Sequence, residues 1–151
     1  MRGLRTAEVG EAIEGWGTAP PPDEIRAPID GVIALFEGEP RHLREVVLDW
    51  RRTPPFHRRV YERARAIDPG HTLTYGELAR DLGEPGAARA VGQALGSNPF
   101  VVIVPCHRVL AAGDRPGGFS APGGLRTKER LLAFEGRFSK APAPGDTYPL
   151  F

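Results

Sequence analysis

At 151 residues the chain is long enough to bury a hydrophobic core, and with a single cysteine it can form no internal disulfide. No apolar run approaches the roughly 20 residues a membrane helix needs. The first residues, MRGLRTAEVGEAIEG, carry acids where a secretory signal has an apolar block, so the expectation is a soluble, cytoplasmic protein with no membrane partner. The net charge of +1 hides an asymmetry: acids outnumber bases ten to five up to Trp50, and bases outnumber acids fifteen to nine from Arg51 onward. The basic part includes Arg51, Arg52, Arg58, Arg59, Arg63 and Arg65. Such a cluster either neutralises phosphates or is a solvated helix face, and charge alone favours the second.

The segment up to Pro28 is weakly patterned, with TAPPP at Thr18–Pro22 a linker or turn. Ile29, Val32, Ile33 and Phe36 then form one apolar helical stripe, stopped by Gly38. Leu43–Trp50 is ambiguous between helix and strand. A second helix is expected from Thr53, with Thr53 as N-cap, Pro54 in the first turn and Phe56, Val60, Ala64 and Ile67 on its apolar face, ending at Asp68-Pro69-Gly70. Thr74-Tyr75-Gly76-Glu77 is a capping box opening a helix that stops at Gly83. Pro85 is expected to open the next helix, which runs to Gly96. Two short helices joined by a tight glycine turn read as helix-turn-helix. The second is rich in small residues, Ala87, Ala88, Ala90 and Gly92, around the single base Arg89. These let its backbone approach a target closely or pack in a core, and pattern alone leaves both open. Phe100–Val104 is a continuous apolar run expected to be a buried strand or extended segment. After a glycine-rich loop, Gly113–Gly124, a last helix carries Leu125, Leu131, Leu132 and Phe134 and stops at Gly136, before a Pro-rich tail.

The apolar run delivers Pro105-Cys106-His107-Arg108-Val109. A lone cysteine is more often a small buried hydrophobe than a nucleophile, and a free thiol, with its pKa near 8.5, is only a few per cent thiolate at neutral pH. To react, Cys106 needs a base or a helix N-terminus nearby. His107 follows it, but neighbours on an extended chain point to opposite faces, so His107 reaches the sulfur only if the chain turns here or a water intervenes. Metal binding is disfavoured, because His42, His57, His71 and His107 offer no pair at zinc-ligand spacing with Cys106. A papain-like Cys/His hydrolase would need a distant histidine and an orienting Asn or Asp, and no local signature for one is present.

NPFVVIVPCHRVL at Asn98–Leu110 resembles the active-site signature of the O6-alkylguanine-DNA alkyltransferases. TYGELA at Thr74–Ala79, AARAVGQALGSNP at Ala87–Pro99 and GGLRTKERLLAFEG at Gly123–Gly136 resemble the same family in the same order. The likeness covers about Pro54 to Gly136, with a weaker match back to about Ile29. It implies an α+β fold: a winged-helix-like DNA-binding and alkyl-acceptor domain with the helix-turn-helix over 53–138, a truncated α/β part of ribonuclease H type over 1–52, and a tail at 139–151. It implies direct-reversal repair without metal or organic cofactor, by a monomer acting on double-stranded DNA that contains O6-alkylguanine. Cys106 would be the alkyl acceptor, and His107, through a water, and Glu135 its proton relay. Asn98 would hold the turn around the site, and Tyr75 would donate a proton to the leaving guanine and press on the DNA backbone. Arg89 would fill the gap left by the flipped nucleotide, flanked by Ala87, Ala88, Ala90 and Gly92 against the DNA. The pocket would include Pro105, Phe119, Val109 and Ser120, with the carbonyls of Cys106 and Val109 accepting from the guanine amino group and the amide of Ser120 donating to O6.

Two departures stand out against the family pattern. Ala121-Pro122 intervene between Ser120 and the paired glycines, and Phe119 stands where many relatives carry tyrosine. Two other classes of function fit parts of the sequence. Alkyltransferase-like proteins flip damaged bases but transfer nothing, with another residue, often tryptophan, in place of the cysteine. An unrelated thiol enzyme or redox sensor would react with small electrophiles without DNA.

Overall fold

The computed structural model describes residues 20, 22–39, 41–113, 115–119 and 121–136. Along them run helix α1 (Asp23–Phe36), helix α2 (Pro55–Arg65), strand β1 (Leu73–Thr74), helix α3 (Tyr75–Asp81), helix α4 (Ala88–Gly96), a 3-10 turn (Cys106–Arg108), strand β2 (Val109–Leu110) and helix α5 (Gly124–Phe134). The result is a helical molecule with one small sheet, a mixed α and β architecture. Among the described residues no helix is long and apolar enough to cross a membrane.

The core forms where α2, α3 and α4 meet. Val60, Tyr61 and Ala64 of α2, Leu78 and Ala79 of α3, and Val91 and Ala94 of α4 are almost completely buried together with Val104 and Val109. The Tyr61 hydroxyl, carried into this core, donates to the Ala94 carbonyl at 2.8 Å, so the polar end of the ring is satisfied and α2 is pinned to α4. α3 and α4 form the expected helix-turn-helix. The N-terminus of α3 is the capping box read from the sequence: the Glu77 amide donates to the Thr74 hydroxyl at 3.2 Å, and the Thr74 amide donates to the Glu77 carboxylate at 2.7 Å.

Four expectations about local structure are corrected. α2 begins at Pro55, with Pro54 and not Thr53 at the cap position. A following proline bars the helical conformation, so Pro54 is held extended (φ −55°, ψ 147°) and helix starts only after it. α4 begins at Ala88 and not at Pro85: Pro85-Gly86 form a turn closed by the Ala87 amide on the Glu84 carbonyl, entered through Gly83 at φ +78°. Leu43–Trp50 is neither helix nor strand but a single turn followed by irregular chain, tied down by the Arg65 guanidinium, which donates to the carbonyls of Leu43, Arg44 and Val46.

The fourth correction concerns the site directly. Phe100–Val104 is not an extended strand; the Val104 amide donates back to the Phe100 carbonyl at 2.7 Å, and Val102 adopts φ +75°. Asn98 explains the fold-back. Its side-chain amide donates to the Val104 carbonyl at 3.0 Å while its oxygen accepts from the Phe100 amide at 2.9 Å, drawing both ends of the run together.

The apolar stripe of α1 is helical as expected, but Ile29 and Ile33 stand about half exposed, and the buried residue is Leu35. Phe36 at its end meets Phe134 of α5 edge-on at 5.9 Å. α5 starts after a turn containing the Ala121-Pro122 insertion, where the Thr127 hydroxyl donates to the Pro122 carbonyl at 2.8 Å. Replacing Thr74 by alanine is expected to cost about 1 kcal/mol, seen as a lower urea midpoint at unchanged slope.

Candidate functional site

Two short strands assemble the site. β1 and β2 pair in parallel, Leu73 against Val109 and Thr74 against Leu110. Tyr75 follows β1 directly and Cys106–Arg108 precede β2, so the pairing sets the first residue of α3 beside the cysteine turn. Cys106 lies on a 3-10 turn and not at the end of a strand, which answers the question the sequence left open: the chain does turn between Cys106 and His107.

Behind the cysteine, three ionisable side chains are buried together: His107, Arg108 and Glu135 are 0%, 4% and 6% exposed. His107 Nε2 lies 2.8 Å from Glu135 Oε1, while Arg108 donates from Nη2 to Oε1 at 2.7 Å and from Nε to Oε2 at 2.9 Å. Burial opposes the Glu135 anion, but hydrogen bonds from His107 and Arg108 overcome it and hold the carboxyl down to about 2. Burial pushes the His107 imidazole below its ordinary range against the pull of Glu135. Its other nitrogen, Nδ1, is buried with no protein hydrogen-bond partner.

Cys106 is 5% exposed, and burial raises its thiol above the ordinary value. Working in the opposite direction are the Asn98 side chain, the Lys128 charge and the amides of Cys106 and His107. Lys128 was not singled out in the sequence. It is fully buried, donates from Nζ to the Val109 carbonyl at 2.6 Å, and lies 5.9 Å from the centre of the Tyr75 ring. Burial lowers its ammonium to about 8, against the pull of the thiol. The available signal was its place on the apolar face of α5, three and four residues before Leu131 and Leu132, in a chain whose bases are nearly all arginine.

Cys106 lies on a cavity of about 570 Å³ lined among others by Tyr75, Arg89, Gly92, Gly118 and Phe119. Of the small residues of the second helix, Ala88 and Gly92 line it, whereas Ala87 and Ala90 do not. Arg89 is exposed at this cavity. Pro105 and Val109, expected as pocket residues, are buried and do not line it: the Val109 side chain belongs to the core and its carbonyl takes the Lys128 ammonium. Ser120 lies outside the described residues. Tyr75 is half-buried, and burial, with the nearby thiol, raises its phenol above the ordinary value against a hydrogen bond from the Gly118 backbone. Gly117 presses on this ring so closely, at φ +65°, that a Cβ there would stand 2.8 Å from the phenol oxygen.

The basic stretch is mostly engaged within the chain. Arg58 pairs with Glu62, Arg59 with Glu84, and Arg63 with Asp81, while Arg51 pairs with Asp49. Exposed pairs of this kind add little stability, but they engage those guanidinium groups with carboxylates of the chain itself.

A family model for the DNA-binding domain of 6-O-methylguanine DNA methyltransferase matches residues 55–137. The methylated-DNA–protein-cysteine methyltransferase of Mycobacterium tuberculosis is 44% identical over 127 residues, which cover 84% of this chain and 72% of that protein. A Thermus thermophilus protein named a DNA base-flipping protein is 44% identical over 107 residues, 71% of this chain and 70% of that one. The crystal structure of Mycobacterium tuberculosis OGT in complex with DNA superposes with a TM-score of 0.65 at 42% identity, over 72% of this chain and 63% of that one. Matched by the family model across more than half its length, and by relatives at this identity over most of their own, the chain belongs to the 6-O-methylguanine DNA methyltransferase family.

Proposed function

We propose that this chain reverses DNA alkylation directly. It binds double-stranded DNA carrying O6-alkylguanine, or O4-alkylthymine, flips the nucleotide out through the minor groove, and moves the alkyl group irreversibly to Cys106, one group per molecule. The observation that carries this reading is a cysteine on the wall of a cavity roomy enough for a purine base, whose lining also includes Arg89 and Tyr75, with a buried histidine–carboxylate pair on the same turn of chain.

The chemistry follows from what such a transfer requires. A stacked base cannot bring its O6 substituent to a buried sulfur, so the nucleotide must leave the duplex, at a cost of a few kcal/mol. Arg89, exposed on α4 at the cavity, fills the space left in the stack, and the small side chains of Ala88 and Gly92 let the DNA backbone come close. The thiol proton passes through a water to His107 Nδ1, while Glu135 steadies the imidazole through Nε2. The sulfur then attacks the alkyl carbon: the S–C bond forms, the C–O6 bond breaks, and Tyr75 donates a proton to the leaving guanine. Lys128, whose ammonium persists up to about pH 8, offers a positive charge to the developing thiolate. Asn98 holds the loop that shapes the thiol side of the cavity. The guanine amino group is expected on the carbonyl of Cys106, and O6 on the Ser120 amide; the Val109 carbonyl, expected from the sequence to share in this, is taken by the Lys128 ammonium. The thioether has no easy route back.

The finer architecture belongs to the same reading. Residues 53–138 form a winged-helix-type DNA-binding and acceptor domain, and α1 belongs to an α/β part of ribonuclease H type that ends at Arg52; the start of that part and the expected tail at 139–151 lie outside the described residues. The molecule acts as a monomer in the cytoplasm.

The base-flipping relative from Thermus thermophilus favours one second reading, a lesion-binding module that transfers nothing. Cys106 separates the two. After incubation with a duplex containing O6-methylguanine, the peptide bearing Cys106 is expected to gain the mass of one methyl group, and Cys106→Ala to gain none. Tight binding without the gain would support the lesion-binding reading. Arg89→Ala is expected to slow repair in duplex DNA far more than reaction with free O6-benzylguanine; equal losses would remove the wedge role. Lys128→Met should slow transfer at neutral pH by roughly tenfold, the deficit narrowing as pH rises and the thiol ionises unaided.

A further inference from the structure

Arg108 has no part in the scheme above, yet with Lys128 it is one of two buried cations among the described residues. It is 4% exposed, and its guanidinium engages two acceptors on separate elements. Nε and Nη2 grip both oxygens of Glu135 at the end of α5, and Nη1 donates to the Ile67 carbonyl just past α2 at 2.6 Å. Arg108 and His107 converge on the same carboxylate oxygen, Oε1, at 2.7 and 2.8 Å. A carboxylate gripped in this way by a permanent cation can accept a hydrogen bond from imidazole but is too weak a base to take its proton.

That arrangement leaves His107 one tautomer. Nε2 must carry hydrogen, because Glu135 facing it is an acceptor only. Nδ1 is then the atom with the lone pair, and it is the buried ring nitrogen without a protein partner. We propose that Arg108 is a positioning residue of the relay: its guanidinium clamps Glu135 so that His107 keeps its proton on Nε2 and holds a lone pair on Nδ1 for the proton leaving Cys106. The proposal rests on the alkyl-transfer reading for its purpose, but its geometry and its test stand apart from DNA.

The clamp also opposes protonation of His107. Four charged or titratable groups bear on the imidazole and the thiol from nearby: Glu135 and Lys128 of α5, Arg108 of the turn itself, and Tyr75 of α3 beside the sulfur; Tyr61 of α2 adds a neutral phenol. Of these only Glu135 favours the imidazolium. Removing the Arg108 charge leaves Glu135 to His107 alone, stabilising the imidazolium, and an imidazolium on the residue next to Cys106 makes the thiol ionise at lower pH.

The experiment is alkylation of Cys106 by iodoacetamide as a function of pH, in the full chain without DNA. In Arg108→Gln, which keeps hydrogen-bond donors but loses the charge, the midpoint of the reactivity profile is expected at roughly tenfold higher proton concentration than in the unaltered protein. Arg108→Lys, which keeps the charge, should stay near the original midpoint. An unmoved midpoint in Arg108→Gln, or an equal displacement in both variants, overturns the proposal. A second measurement needs no variant: nitrogen NMR of His107 in the unaltered protein should show Nε2 protonated in the neutral ring, and a neutral ring protonated on Nδ1 would sink the idea whatever the variants do. Because none of these readouts involves a lesion, failure of methyl transfer to Cys106 and failure of the clamp are separate results.

Discussion

The fold around the cysteine depends on a carboxylate that has been taken out of water. Glu135 is buried at the end of α5, and a buried carboxylate without partners would be strongly destabilising. It is tolerated because His107 and Arg108 both donate to it from the turn that carries Cys106. The same bonds therefore do two things. They dock the last helix against the cysteine turn, and they hold an imidazole in a defined tautomer next to a thiol. Structure and reactivity cannot be separated here, since anything that frees Glu135 also loosens the turn.

Around that anchor the chain uses small devices to bring distant segments to one point. A parallel pair only two residues long on each strand aligns Tyr75 with the cysteine turn. Asn98 closes the Phe100–Val104 run by accepting at one end and donating at the other. Gly117 lets the loop before α5 lie directly on the Tyr75 phenol, where any side chain would collide. Lys128 reaches the Val109 carbonyl from α5 and sits over the face of the Tyr75 ring. Each contact is modest, but together they place Tyr75 and Cys106 on one cavity, with the buried Lys128 ammonium against the Tyr75 ring.

The distribution of arginines is equally informative. Those of α2, which made the chain look basic in this region, are tied to Glu62, Asp81 and Glu84. Arg65 is spent on backbone carbonyls that hold the segment before α2. Arg89, by contrast, stands exposed on α4 where the cavity opens. That exposed cation is the one the proposed alkyl-transfer reading sets in the gap left by a flipped nucleotide.

Sequence alone determined the elements whose cause is local. The capping box at Thr74–Glu77, the helix-turn-helix, the helix stops at Gly83 and Gly136, and the singular position of Cys106 are written in neighbouring residues, because capping, glycine conformation and apolar periodicity act over a turn or two of chain. Even there, boundaries slipped where two local signals competed, as at Thr53-Pro54-Pro55 and Pro85-Gly86. The tertiary structure decided what depends on residues far apart in sequence. That Phe100–Val104 folds back instead of extending, that Lys128 is buried beside the thiol, and that Arg108 closes on Glu135 twenty-seven positions away are all outcomes of packing. A charged side chain in a sequence reads as solvated until another element supplies the partner that makes its burial possible, and no local pattern says which element that will be.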